Sequence, residues 1–410
     1  MTFRSEVHSA PSRQDASTLR SSRALESDGR DKQDVLQGTA LWHDLNSMPK
    51  HYNKPGQGLP VENLGYQAYT TYFGIGTSPP QLMRAFIDLA WSDLVIPAVN
   101  CTHCAGKLKY DRTKSPSFES GNGSKITVRQ DRYVWGRGEV SSDSVTLGEG
   151  VEVQHHPFVE AEQSSSGPWA PESVESVLGL SMKRPVVDTG MTKHFLPGIL
   201  ETMAEEKTLD RDVFSLLLPR GDGDRGDLVF GDYDKALFKG ELSTHPLYPE
   251  NTTDWAVEAT SASVMYANGT EAGYQSLAGY TALISTTYPG LILPRHIVRS
   301  LINATGADCS DSCTGCEVPC DQAAGLPKLT LNLGGYNFSI GAEEYVVKTR
   351  VNWPFCRNRE YCAVLVGSDK LLEEPKKIVL GSRFLTSVYS VFDFGNRTVG
   401  FAKAKHRFES

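Results

Sequence analysis

From Tyr66 onward, apolar and polar residues alternate over short runs that glycine and proline interrupt. Tyr69 to Ile75 alternates aromatic and polar side chains, and Pro79-Pro80 marks a turn ahead of the apolar stretch from Leu82 to Ile87. Tyr133 to Trp135 and Glu139 to Leu147 flank Gly136-Arg137-Gly138, which reads as a hairpin. Val213 to Leu218 predicts a strand, and Leu228-Val229-Phe230-Gly231 closes a further hairpin. The second half repeats the style at Leu329 to Leu333, Tyr345 to Lys348, Ser387 to Phe392 and Thr398 to Ala402. Helical periodicity is confined to Pro197 to Ala204 and, most clearly, Arg295 to Asn303. Many short strands punctuated in this way predict an all-β, mostly antiparallel protein. Residues 1 to 62 are polar and without period, the pattern of a disordered leader or pro-segment remnant.

One pattern occurs twice. Gly74-Ile75-Gly76-Thr77-Ser78-Pro79-Pro80-Gln81 leads into Ala85-Phe86-Ile87-Asp88-Leu89-Ala90-Trp91, and the second half carries Ala282-Leu283-Ile284-Ser285-Thr286-Thr287-Tyr288-Pro289-Gly290. Each copy is answered later by an apolar pair and a glycine, Val177-Leu178-Gly179 and Val379-Leu380-Gly381. Asp88 precedes its glycine by 91 positions and Ser285 precedes its own by 96, so one architectural unit is used twice. The divisions expected are a lobe over 63–243 and a second over 244–406.

These motifs resemble the pepsin-like aspartic peptidases, whose two β-lobes each supply one Asp-Thr-Gly loop to a central cleft. The resemblance runs from about residue 66 to 404 and includes Val213-Phe214-Ser215-Leu216, Gly226-Asp227-Leu228-Val229-Phe230-Gly231, Trp255-Ala256-Val257, Gly381-Ser382-Arg383-Phe384-Leu385 and Val391-Phe392-Asp393. It implies a bilobal fold with Asp88 and Ser285 at the two catalytic positions, Trp135-Gly136-Arg137-Gly138 as the flap, and Thr286, Trp91 and Tyr288 beside the ligand. No cofactor or metal is expected.

Peptide hydrolysis by paired carboxylates needs two acids close enough to share one proton, one activating water and the other polarising the scissile carbonyl. Repulsion between the like charges creates that one-proton state. Ser285 donates a hydrogen bond but cannot hold a mobile proton near pH 5. Losing one acid–base partner costs on the order of 10²–10⁴ in rate. Other positions depart from the family pattern as well. Leu89 stands where a threonine would bond across the dyad, Ala90 and Thr287 replace glycines, and Trp91 and Tyr288 replace small hydroxyl residues. The expectation is a remnant Asp88 in an impaired peptidase whose cleft binds an extended, peptide-like ligand. Two alternatives stay open: an active endopeptidase using Asp88 with an unconventional partner, and an accessory protein whose cleft Trp91 and Tyr288 plug.

Other motifs carry less. Asp188-Thr189-Gly190 matches the family triplet literally, but it falls just beyond Gly179, where the family has a variable loop. Arg220-Gly221-Asp222 and Arg225-Gly226-Asp227 sit where turn residues are expected. His155-His156 lacks the spacing of a zinc site and reads as a solvated loop. Cys101 and Cys104 have redox-motif spacing, but their expected β-loop context favours a small structural bridge. Cys309, Cys313, Cys316 and Cys320 are too closely spaced for two ligand pairs, so disulfides among them and with Cys356 or Cys362 are expected.

Composition refines this picture. With 39% hydrophobic and 22% charged residues, a chain of 410 residues buries a substantial core. A net charge of −8 without a basic cluster argues against nucleic acid. No apolar run approaches the ~20 residues of a membrane span. Eight cysteines point to an oxidising compartment. Seven of the 13 asparagines lie in Asn-X-Ser/Thr sequons: Asn100, Asn122, Asn251, Asn268, Asn303, Asn337 and Asn396. A secreted or lumenal, glycosylated monomer is therefore expected. The opening Met1 to Ala10 has no apolar h-region, so the signal this requires is expected outside the present sequence.

Overall fold

A computed structural model describes residues 58–406 apart from 65–67, 105–106, 130–133, 149, 167–173, 175, 183–195, 222–223, 225, 311–314, 352–358 and 373. The first part comprises β1 (Leu59–Leu64), β2 (Ala68–Ile75), β3 (Gln81–Asp88), β4 (Leu94–Pro97), β5 (Glu119–Arg129), β6 (Val134–Thr146), β7 (Glu152–Ser166) and β8 (Ser176–Gly179). A helix, α1 (Ile199–Glu206), precedes β9 (Val213–Leu217), β10 (Gly226–Phe230) and β11 (Phe238–Pro246). The second part opens with β12 (Ala256–Met265), β13 (Glu271–Ile284), β14 (Leu291–Leu293) and the helix α2 (Arg295–Thr305). Then come β15 (Glu317–Val318), β16 (Lys328–Leu333), β17 (Tyr336–Ile340), the helical turn α3 (Ala342–Tyr345), β18 (Val346–Val351), β19 (Arg359–Val364) and β20 (Val366–Ser368). The described chain ends with β21 (Lys377–Leu380), the turn α4 (Ser382–Leu385), β22 (Val388–Asp393) and β23 (Thr398–Ala404).

The strands form a 13-stranded sheet, a 7-stranded sheet and a 3-stranded sheet. The largest holds β1 to β11 and also receives β22 and β23, which lie between β11 and β9. The 7-stranded sheet holds β12, β13, β14, β16, β17, β20 and β21. This is the all-β architecture expected from the strand pattern, with the bilobal form that the family resemblance implies.

The duplicated sequence pattern is a duplicated strand arrangement. In the first part β8 runs parallel to β3, placing Gly179 opposite Asp88, while β4 lies antiparallel to β8. In the second part β21 runs parallel to β13, with Leu380 opposite Ile284, and β14 lies antiparallel to β21. Both returning strands pass tightly against the loop that follows their partner strand. A Cβ on Gly179 would lie 2.6 Å from the Trp91 carbonyl oxygen, and one on Gly381 would lie 2.0 Å from that of Gly290. No side chain fits at either position, which explains why each apolar pair ends in glycine.

The core between the two parts is aromatic. Phe214 of β9 stacks on Phe392 of β22 at 4.7 Å, and Trp255 meets both rings edge-on at 5.7 and 5.1 Å. The Trp255 indole N–H donates to the Leu180 carbonyl at 2.7 Å, just past Gly179. Its backbone carbonyl accepts from Ile284 N–H at 2.8 Å, just before Ser285. One fully buried residue therefore ties the two duplicated loops to the same core.

Some local expectations change. Gly136-Arg137-Gly138 lies inside β6, bonded to β5 on one side and β7 on the other, and is not itself the hairpin turn. Gly138 is required by close strand packing, since a Cβ there would lie 1.8 Å from the Glu160 carbonyl oxygen. Tyr345 ends α3 instead of opening a strand, because the Glu344 carboxylate accepts from Gly341 N–H at 2.9 Å and closes a helical turn. Helix α2 stops at Gly306, whose φ of 65° suits the left-handed cap. The described disulfides are Cys101–Cys104, Cys309–Cys316 and Cys320–Cys362, while Cys313 and Cys356 lie outside the described residues.

Substitution of Trp255 tests the shared anchor. Trp255→Phe leaves the Leu180 carbonyl buried without its donor and is expected to cost about 1–3 kcal/mol in denaturant unfolding. Trp255→Ala is expected to cost about 3–5 kcal/mol.

Candidate active site

Asp88 ends β3 and Ser285 follows β13, so both stand at equivalent points of the duplicated unit, and both are buried. Their local turns are alike. Asp88 Oδ1 accepts from Ala90 N–H at 2.8 Å, and Ser285 Oγ accepts from Thr287 N–H at 3.2 Å. In each loop a side-chain oxygen bonds the backbone two residues on, a turn that aspartate and serine both support. Ser285 thus makes the same turn bond as Asp88 without a carboxyl. The Ser285 hydroxyl also lies 2.9 Å from Thr287 Oγ1.

Thr286 joins the two loops. Its hydroxyl donates to the Ile87 carbonyl at 2.6 Å and accepts from Leu89 N–H at 3.2 Å, so one buried oxygen holds the backbone on both sides of Asp88. Leu89, in the position matching Thr286, sends no hydroxyl back. It is fully buried in the main hydrophobic cluster with Ile87 and Leu94. The clasp between the loops is one-sided.

Beside this floor, Thr287 and Tyr288 are exposed and Ala90 is half-buried. The Tyr288 carbonyl accepts from Ser382 N–H at 2.8 Å, which fixes its backbone below α4. Trp91 is 5% exposed and packs with Val95, Ile126, Val128, Val159, Ala161 and Leu196, so its ring fills the lobe interior. Gly136 lies over the same patch, where an added Cβ would fall 2.6 Å from Val95 Cγ1. The Trp135 backbone pairs with Arg129 and Ser165 within the sheet.

Asp93 was not among the residues expected at the site. The Trp91 indole N–H donates to Asp93 Oδ2 at 2.8 Å, and Asp93 Oδ1 is buried with no hydrogen-bond partner among the described residues. Burial pushes this carboxyl up from 3.8 to about 6, against the lowering effect of the indole bond. The available signal was one acid in the largely apolar run from Leu89 to Pro97.

The remaining motifs separate from the site. Asp188-Thr189-Gly190 lies outside the described residues. Gly226 and Asp227 are buried in β10, not in a turn. The histidine pair is not a solvated loop. Both residues lie in β7, where His155 faces Glu119 at 3.1 Å and His156 is buried with Nδ1 3.0 Å from Thr202 Oγ1. Burial drives the His156 imidazole down to about 3. Asn100, Asn251, Asn268, Asn303, Asn337 and Asn396 are all exposed.

The Asp93 shift has a definite sign. The folded state binds its proton more tightly than the unfolded chain does, so stability contributed at low pH is lost as pH rises from about 4 through 6. Asp93→Asn is expected to remove a pH-dependent loss on the order of 2–3 kcal/mol, read from denaturant midpoints at pH 4 and pH 7.

The comparisons with known proteins agree with this geometry. The eukaryotic aspartyl protease family profile matches residues 68–404. Vacuolar protease A of Neurospora crassa is 28% identical over 352 residues, covering 85% of this chain and 81% of the relative. Vacuolar protease A of Arthroderma otae is 29% identical over 362 residues, covering 85% and 82%. Human gastricsin is 28% identical over 345 residues, covering 81% of each chain. The paired loops, the returning strands with their glycines and a match across most of the chain together establish that this protein belongs to the eukaryotic aspartyl protease family.

Proposed function

We propose that this chain is a catalytically impaired member of its family whose interlobe floor binds an extended, peptide-like ligand. The observation that carries the proposal is Ser285. It stands in the turn geometry of the second acid, bonded to Thr287, and brings a hydroxyl where a proton-holding carboxyl is needed. A lone Asp88 cannot serve as base toward water and supply the acid for the carbonyl in one step. The scaffold around it is kept, since Thr286 still clasps the two loops and both returning strands are in register. A floor built to that standard without its second acid suits binding better than turnover. Relatives named as proteases support a peptide as the ligand class.

The compartment proposed is the secretory or vacuolar lumen. Among the described residues, three disulfides fit an oxidising environment, and six sequon asparagines reach the surface where a glycan can be attached. The chain is proposed to act as a monomer, without cofactor.

Folded protein incubated with a diverse peptide mixture from pH 3 to pH 7 is expected to cleave no more than its Asp88→Asn variant. Cleavage lost in that variant and blocked by an aspartic-peptidase inhibitor would show an active enzyme instead. From the same mixture a subset of peptides is expected to co-elute with the protein, and the absence of any would favour an accessory role. Ser285→Asp combined with Leu89→Thr and Ala90→Gly is expected to raise cleavage above the unsubstituted chain.

A further inference from the structure

The hairpin joining β12 to β13 is built around one sequon, Tyr266-Ala267-Asn268-Gly269-Thr270. Gly269 N–H donates to the Tyr266 carbonyl at 2.9 Å, and Tyr266 N–H donates to the Thr270 carbonyl at 2.9 Å. Gly269 has φ of 84°, and the strand register shifts between Val264 and Met265. This is a tight turn closed by a left-handed glycine and a bulge. It places Tyr266 and Thr270 as cross-strand neighbours at the base of the turn.

Asn268 stands at the tip. Its Oδ1 accepts from Thr270 N–H at 2.9 Å, which orients the carboxamide, and no hydrogen bond engages its Nδ2 among the described residues. All five residues are exposed, and the Tyr266 side chain is 41% exposed, a large aromatic surface left in water at a hairpin tip.

We propose that Asn268 carries an N-linked glycan whose first N-acetylglucosamine packs on the Tyr266 ring, making the sugar a structural part of this hairpin. The inference rests on the secretory reading above. In the transfer, a lipid-linked oligosaccharyl diphosphate is the donor. Asn268 Nδ2 loses a proton as its bond to the sugar C1 forms, and the C1–oxygen bond to the diphosphate breaks with that group leaving. The apolar C–H face of the β-linked sugar then lies over the electron-rich ring face, and the Thr270 methyl borders the acetamide. The hydroxyl residue required two positions after the asparagine is Thr270 itself.

A second sequon serves as an internal contrast. Asn396 also has an aromatic residue two positions earlier, Phe394, but that ring packs against the core. The Asn396 amide nitrogen donates to Asp393 Oδ2 at 3.0 Å. There the aromatic side chain is partly buried against the core and the amide nitrogen is engaged. At Asn268 both are available.

The test uses the full chain secreted from a eukaryotic host behind an added signal peptide, with peptide mass spectrometry at each sequon. Sugar is expected on Asn268, and Asn268→Gln is expected to lower Tm by roughly 2 °C. Tyr266→Ala is expected to lower Tm in the glycosylated protein but to change little in the Asn268→Gln background, whereas Tyr266→Phe keeps the stabilisation. Folded protein with sugar at other sequons but none on Asn268 would overturn the proposal and leave the secretory reading standing. An equal Tm loss from Tyr266→Ala in both backgrounds would also overturn it, since the ring would then act without the glycan. Sugar at no sequon would overturn both readings.

Discussion

The hydroxyl of Thr286 is the contact on which the centre of this protein depends. It donates to Ile87 and accepts from Leu89, so it grips the chain immediately before and after Asp88. Every protein group in this exchange is buried, and a buried donor or acceptor that loses its partner costs about 1–3 kcal/mol. The return strands press each loop from the far side, leaving no room for a side chain at Gly179 or Gly381. Trp255 then binds Leu180 and Ile284, one from each copy. The loops are thereby held together by hydrogen bonds that do not involve a second carboxylate.

That independence explains how the point of the second loop equivalent to Asp88 holds a serine without disturbing the fold. The backbone asks only for an oxygen that accepts from the N–H two residues on, and Ser285 supplies it as Asp88 does. The chemistry asks for a titratable proton, which Ser285 lacks. The same division appears at Leu89, where an apolar side chain fills core space and the clasp survives from the opposite side. Scaffold and chemistry place different demands on one residue, and the turn bond that Ser285 makes answers the first of them.

Features that depend on spacing and local chemistry were readable in the sequence. The paired loops, the answering glycines, α2 and most strands followed from period and turn residues, because each is determined within a few positions. Features decided by distant partners were not. Gly136 and Gly138 look like turn glycines, yet they are mid-strand positions required by Val95 and the Glu160 carbonyl. Trp91 looks like a cleft aromatic, but strands β4, β5 and β7 close around it. His156 reads as polar surface until β7 brings it under α1. Asp93 gave no local sign of the indole that bonds it.

The placement of β22 and β23 within the largest sheet bears on how the chain is made. These strands follow the whole second part in the chain, yet they fill the gap between β9 and β11. Until they arrive, β9 and β11 each present an unpaired edge, and Phe214 lacks the ring of Phe392 against which it stacks. The first part therefore cannot complete its sheet until the second part has been made. Its open edges stay available to neighbouring chains until β22 and β23 are delivered, so the order of the chain and the order in which this sheet can close differ.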